Sequence, residues 1–487
     1  MTIWIPDLQQ FPGPRYQALA AAIEAAVQTG ELPPGAKLPP QRNLAWKLGV
    51  TVGTVSRGYM LAEQKGLLSG EVGRGTFVKA NGVKADALRP ENPGLDAIRL
   101  NGPAPIEAGA GEILSLATPG VIELSHNEPS LPDYDALLRR SLQTVAAKSG
   151  LQHLLGYSRT LGDPAHRAAA AQWIGRTGLS ITADQIIVTA GAQQALAIAI
   201  SAMAMPNETM MVESLTYGGV HENARQRPVR MEAVAMDHEG MLPDALAAAA
   251  KRTGSRLVLL QPTIHNPTTA TMSLQRREEI VAIARQHDLT IIEDDVYGFL
   301  IRDRAVPLAT LAPERTVYIA SASKCMAPGL RVGWLAAPPA LIERFADVLH
   351  ALSVNNPRLN QEIVRQWIED GTADHLVERL REEAMIRNAM AVEAFEGITM
   401  RSHPGALHCY IELPPPWRPN DFTAQALTHG VRIASCTSFV PDNRPNPPPW
   451  VRISLAPSPD RAQLGEGLRR LRALIERGPD TPRRTVV

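Results

Sequence analysis

A chain of 487 residues is too long for one ordinary hydrophobic core and predicts several folding units. With 45% apolar and 20% charged residues it is not a wholesale disordered chain, and no apolar run approaches the length of a membrane span. The formal net charge of zero announces no nucleic-acid partner for the chain as a whole, and Cys325, Cys409 and Cys436 show no metal-ligand spacing and suit a reducing cytoplasm. The opening "MTIWIPDLQQ" lacks a basic region followed by an apolar segment, so no signal peptide is expected.

Residues 1–79 carry eight Lys/Arg against five Asp/Glu, a mild basic bias. "RYQALAAAIEAAVQTGELPPG" sets Tyr16, Leu19, Ile23 and Val27 at helical spacing and stops at Gly30 and the Pro33-Pro34-Gly35 turn. "QRNLAWKLGVTVGTVSRGYMLAEQKG" predicts a short helix from about Gln41 to Leu48, a glycine turn, and a second helix capped by Thr51 with Val55, Tyr59 and Ala62 facing a core. "LLSGEVGRGTFV" predicts a hairpin. Residues 15–78, through "GELPPGAKLP", "QRNLA" and "GRGTFV", resemble the winged helix-turn-helix of the GntR family. That resemblance implies binding to double-stranded operator DNA through Arg42, Thr51, Gly53, Thr54, Ser56, Arg57 and Arg74. Pro40 departs from the family's polar capping residue, which weakens the cap but leaves the fold possible.

Residues 80–112, rich in Gly, Pro and Ala without periodicity, read as a linker with a root-mean-square span of roughly 30 to 35 Å. From about residue 113, apolar runs in "QIIVTAG", "TMMVESL", "RLVLLQP", "LTIIEDDVY", "TVYIASASK" and "RVGWLAA" alternate with helices such as "AQQALAIAISAMA", which predicts a mostly parallel sheet covered on both faces. A smaller α+β subdomain is expected over about 357–475 and a disordered tail over 476–487.

Polar residues close several of these strands, where ligand sites of such sheets lie. "TAGAQQAL" offers the amides of Gly191, Ala192 and Gln193 to an anion. "HNPTT", "EDDVY", "SASK", "LRVG" and "WVRISLA" add Asn266, Asp294, Tyr297, Ser321, Ser323, Lys324, Arg331 and Arg452. His265 and His408 stand near these motifs and read as structural donors. Together the motifs resemble fold-type I aminotransferases that hold pyridoxal 5'-phosphate. The resemblance implies Lys324 as the Schiff-base lysine and Gly191, Ala192, Gln193, Ser321, Ser323 and Arg331 as the phosphate cup. It implies Tyr217 stacked on the ring, Asp294 at the ring nitrogen, and Asn266 and Tyr297 at the phenolic oxygen. Tyr157 would reach the phosphate of a second subunit in a homodimer, and Arg452 would clamp an α-carboxylate. The two halves together resemble the MocR subfamily of bacterial transcription regulators, cytoplasmic proteins whose aminotransferase-like body binds pyridoxal phosphate or an amino compound. A working aminotransferase carrying a DNA-binding arm is the alternative, and a DNA-binding scaffold with a dead body gives no reason for so complete a site.

Overall fold

The structure, a computed structural model, describes residues 4–8, 11, 14–33, 35–64, 67–71, 75–78, 120–205, 207–227, 229–441 and 447–479. The chain divides into two units, Met1–Ala104 and Pro105–Val487. The expected linker, and the expected tail from residue 480 onward, lie outside the described residues.

In the first unit α1 (Arg15–Gln28), α2 (Gln41–Leu48) and α3 (Val52–Gln64) precede a hairpin of β1 (Leu68–Glu71) and β2 (Gly75–Val78), with Leu68 opposite Val78. Leu19 and Ile23 of α1 enter one core with Leu44 of α2 and Val55, Tyr59 and Ala62 of α3. A Cβ at Gly58 would stand 2.8 Å from Leu19 Cδ2, so only glycine permits this approach of α3 to α1. Gly49, at φ +63°, makes the turn between α2 and α3. As expected, Pro40 supplies α2 with no side-chain cap, whereas Thr51 Oγ1 accepts the Thr54 N–H at 3.2 Å. Tyr59 Oη donates to Pro39 O at 2.8 Å and pins α3 beneath the chain that enters α2.

The second unit runs in chain order β3 (Ile122–Glu123), α4 (Tyr134–Ala146), α5 (Pro164–Gly175), β4 (Ile186–Thr189), α6 (Ala192–Met203), β5 (Thr209–Glu213), α7 (Gly218–Arg225), β6 (Arg230–Val234), α8 (Pro243–Thr253), β7 (Leu257–Leu260), α9 (Leu274–Gln286), β8 (Thr290–Asp294), α10 (Leu308–Leu311), β9 (Thr316–Ser321) and β10 (Gly333–Ala336). There follow α11 (Pro339–Ser353), α12 (Arg358–Glu369), α13 (Thr372–Ala394), β11 (Met400–Arg401), β12 (His408–Glu412), α14 (Pro419–Thr428), β13 (Val431–Arg432), β14 (Ala434–Ser435), β15 (Trp450–Ser454) and α15 (Arg461–Arg477). Seven strands form one sheet in the order β4-β10-β9-β8-β7-β5-β6, parallel except for β10. Alternate residues serve opposite faces: Leu257 and Leu259 join α6 and α11, while Val258 and Leu260 join α8 and α9. Burial on both faces explains why these strands read as continuous apolar runs. The edge strand β6, half-exposed, lacks such a run and has no counterpart among the expected strands.

The smaller sheet, β11-β12-β15-β14, packs with α14 and α15. Its limits differ from the expected 357–475. Ile363, Val364 and Trp367 of α12 and Leu376 and Leu380 of α13 belong to the large body's core with Trp173. The smaller core begins with Ala391 and Phe395 and takes in Ile122 and Leu124 from the start of the unit, where β3 pairs with β13. An amphipathic helix does not say which core its apolar face will meet. The helix α15 also runs two residues into the expected tail. Among the described residues no helix is long and apolar enough to cross a membrane.

Candidate functional site

The register of β10 assembles the first part of the site. Gly333 lies opposite Thr189 of β4 on one side and Ser321 of β9 on the other. A Cβ at Gly333 would stand 2.6 Å from the carbonyl carbon of Gly191, so glycine lets the start of α6 settle on the sheet. Gly191, at φ +88°, turns the chain into α6, whose first amides have no partner within the helix. Ser321 Oγ accepts the Ser323 N–H at 3.1 Å and lies 2.9 Å from Ser323 Oγ. The exposed Arg331 donates to Ala190 O at 3.2 Å. Helix start, hydroxyls and guanidinium thus form a cup suited to a phosphate-sized anion. A Cβ at Gly191 would stand 2.7 Å from Arg331 Nη2 in a backbone conformation that L residues avoid. Gly191→Ala is therefore expected to destabilise the protein by about 1–3 kcal/mol and to abolish the rise in melting temperature on adding pyridoxal phosphate. Thermal unfolding with and without the compound checks this.

Across the strand ends, buried Asp294 closes β8. Gln261 Nε2 donates to its Oδ2 at 2.7 Å, and its Oδ1 is buried with no hydrogen-bond partner. Burial raises the Asp294 pKa to about 6. A protonated ring nitrogen is the donor that such an orphaned carboxylate oxygen lacks. Lys324 follows β9 and donates to Asn127 O. Its pKa falls to about 8, first through burial and then through Arg452 and Arg331, which favours the neutral, nucleophilic amine. Tyr217 precedes α7, and a Cβ at Gly219 would stand 2.4 Å from the Tyr217 ring and 2.3 Å from Gln193 Oε1. Glycine there leaves the ring its place beside the start of α6, where Gln193 Nε2 donates to Gly219 O at 3.2 Å.

Arg452 comes from β15 of the smaller sheet. It donates to Asn266 Oδ1 at 3.0 Å and to Ser125 O, lies 5.0 Å from the Phe439 ring centroid, and keeps a buried Nε without a partner. Such a guanidinium can take a carboxylate by exchanging Ser125 O for it.

Segment 125–128 went unnoticed in the sequence, yet it touches most of the reactive groups. Ser125 O meets Arg452, Asn127 O meets Lys324, and Asn127 Nδ2 stands 2.8 Å from Tyr297 Oη. The signal available was a polar "SHNE" directly after the short stretch "VIEL" that holds β3, an arrangement similar to the strand ends that carry site residues elsewhere in this chain. Gln261 was missed too, because its partner Asp294 is distant in sequence.

Of the candidate residues in this unit only Tyr157 stands apart, 86% exposed beside Leu155 at 92%. In the first unit Thr51, Gly53 and Arg57 are exposed and Thr54 and Ser56 partly so, on the leading end of α3. Arg74 and the side chain of Arg42 lie outside the described residues.

Residues 119–471 match the family described as aminotransferase class I and II, and residues 15–78 match the bacterial regulatory proteins of the gntR family. Over 473 residues the chain is 30% identical to an uncharacterized HTH-type transcriptional regulator, YdeF, of Bacillus subtilis, covering 97% of each chain. It is 27% identical over 442 residues to another, YdcR, of Escherichia coli, covering 87% of this chain and 92% of that one. Among solved structures, the α-aminoadipate aminotransferase LysN of Thermus thermophilus superposes with a TM-score of 0.68 at 25% identity, over 76% of this chain and 95% of that one.

Proposed function

Because the chain belongs to the aminotransferase class I and II family and carries a gntR-family helix-turn-helix ahead of that domain, we propose that it is a DNA-binding transcription regulator. Its ligand is pyridoxal 5'-phosphate, or an amino compound that reacts with it, in the Lys324 crevice. The observation that carries this reading is the union in one chain of an exposed recognition-helix tip and a crevice holding Lys324, Asp294 and Arg452. The regulator-named relative that matches over 97% of both chains supports it.

When bound, pyridoxal phosphate supplies an aldehyde and an electron-withdrawing ring. Lys324 contributes the neutral amine. Asp294 would keep a proton on the ring nitrogen, Tyr217 would pack against the ring, and Asn266 and Tyr297 would hold the phenolic oxygen. The cup of Gly191, Ala192, Gln193, Ser321, Ser323 and Arg331 would fix the phosphate, and Arg452 would receive a ligand carboxylate. Exposed Tyr157 and Leu155 suit a two-fold homodimer in which Tyr157 completes the partner's cup.

A second reading, an active aminotransferase, is favoured by the presence of Lys324, Asp294 and Arg452 together in that crevice. One experiment separates the two. Operator fragments selected from random duplexes by the protein are titrated by fluorescence anisotropy, with and without pyridoxal phosphate and with amines that alter its visible absorbance. Regulation predicts a roughly 5- to 150-fold change in operator affinity, and the operator must change ligand affinity by the same factor. Unchanged operator affinity together with many cycles of amino transfer between an amino acid and a keto acid would establish the enzyme instead.

A further inference from the structure

We infer that Asn127 and His408 are positioning residues that aim the hydroxyl proton of Tyr297 into the cofactor crevice, an inference that rests on the pyridoxal phosphate reading above. The directions of three hydrogen bonds carry it. His408, wholly buried on β12, has its Nε2 at 3.3 Å from His265 O, and a carbonyl oxygen only accepts, so Nε2 bears a proton. Burial, with Arg452 next, holds the ring neutral by depressing its pKa well below the ordinary range. A neutral imidazole protonated at Nε2 is an acceptor at Nδ1, and the group facing Nδ1 at 3.0 Å is Asn127 Nδ2. One amide proton of Asn127 is thereby committed to His408.

The other reaches Tyr297 Oη at 2.8 Å. Tyr297 accepts there, which leaves its own hydroxyl proton free to donate elsewhere. Turning the Asn127 amide over would set its oxygen against the Nδ1 lone pair, so His265 O and His408 together fix the amide's orientation. The proton on Tyr297 can then serve an anionic oxygen in the crevice, the part assigned to the cofactor's phenolic oxygen. A donor to that oxygen stabilises the more negative form of the bound cofactor, so losing it moves the visible-band transition to higher pH.

The test is a pH titration of the visible absorption band of the full-length, cofactor-loaded protein, which needs no turnover. Asn127→Ala is expected to raise the transition by about one pH unit. Tyr297→Phe is expected to raise it at least as far, and Tyr297→Phe combined with Asn127→Ala no further than Tyr297→Phe alone. Lys324, Arg452, Asp294 and His265 face these groups in every variant and cancel in the comparison. Should Asn127→Ala fail to hold the cofactor, His408→Leu is expected to give the same rise and His408→Gln, which keeps an acceptor and a donor, less than half of it. An intact band with an unmoved transition in Asn127→Ala, or shifts that add in the double variant, overturns the relay. A wild-type protein without any visible band overturns the cofactor reading instead.

Discussion

Borohydride treatment of the cofactor-loaded Lys324→Ala protein is expected to leave no cofactor covalently held, against about one per chain in the wild type. The effect is complete because no other described lysine shares this environment. Lys148 is held by Glu362 at 2.7 Å, and Lys251 is exposed in the last turn of α8. Lys324 instead loses water and faces Arg452 and Arg331, and both effects disfavour its charged form. The sign of the pH dependence follows. The neutral amine is the nucleophile, so attachment should accelerate as pH rises through about 8, whereas an ordinary lysine would do so near 10.4. At pH 7 about a tenth of Lys324 is neutral, compared with well under a thousandth of a solvated lysine. Mass spectrometry of the reduced protein, and stopped-flow absorbance across pH 6 to 10, read both results. An adduct that survives on another lysine would sink the assignment.

The second large effect is on DNA. Replacing Arg42, Arg57 and Arg74 together by alanine is expected to weaken duplex binding roughly 10²- to 10³-fold at physiological salt and to flatten the slope of log K against log [salt] by about three units. Arg57 stands exposed on α3, behind a leading end formed by Thr51, Val52 and Gly53. Val52 and Gly53 offer bases no hydrogen bond, which leaves affinity to cations and backbone amides that hold phosphates. Gly53 has only Thr51 Oγ1, at 3.8 Å, near its missing Cβ. The fold therefore does not require glycine there, and its small size is available for close approach to the groove. Anisotropy titrations from 50 to 200 mM salt, on selected and scrambled duplexes, read the slope. An unchanged slope would remove this face as the DNA-binding surface.

Both groups of residues were legible in the sequence for the same reason. Thr51, Gly53 and Arg57 sit within one continuous motif, while Gly191, Asp294 and Lys324 close, and Arg331 leads, apolar runs whose two-sided burial made them recognisable as strands. Local pattern decides where a strand ends, and the sheet then brings the ends together. By itself the sequence also determined the helix-turn-helix, the alternation of strands and helices, and the glycine entry into α6.

The tertiary structure alone decided what depends on distant partners. Leu19 Cδ2, 2.8 Å from the missing Cβ of Gly58, is a partner from another helix that no local pattern names. The helix α12 carried an amphipathic face with no address, and the large body's core claimed it. Asn127 lies 170 residues from Tyr297 and 281 from His408, so no spacing rule connects them. His408 read as a structural donor, and only the His265 carbonyl shows which of its nitrogens holds the proton. A hydrogen bond's direction is set by its whole chain of partners, and that chain exists only after folding has brought β3, β12 and the end of β8 to one crevice.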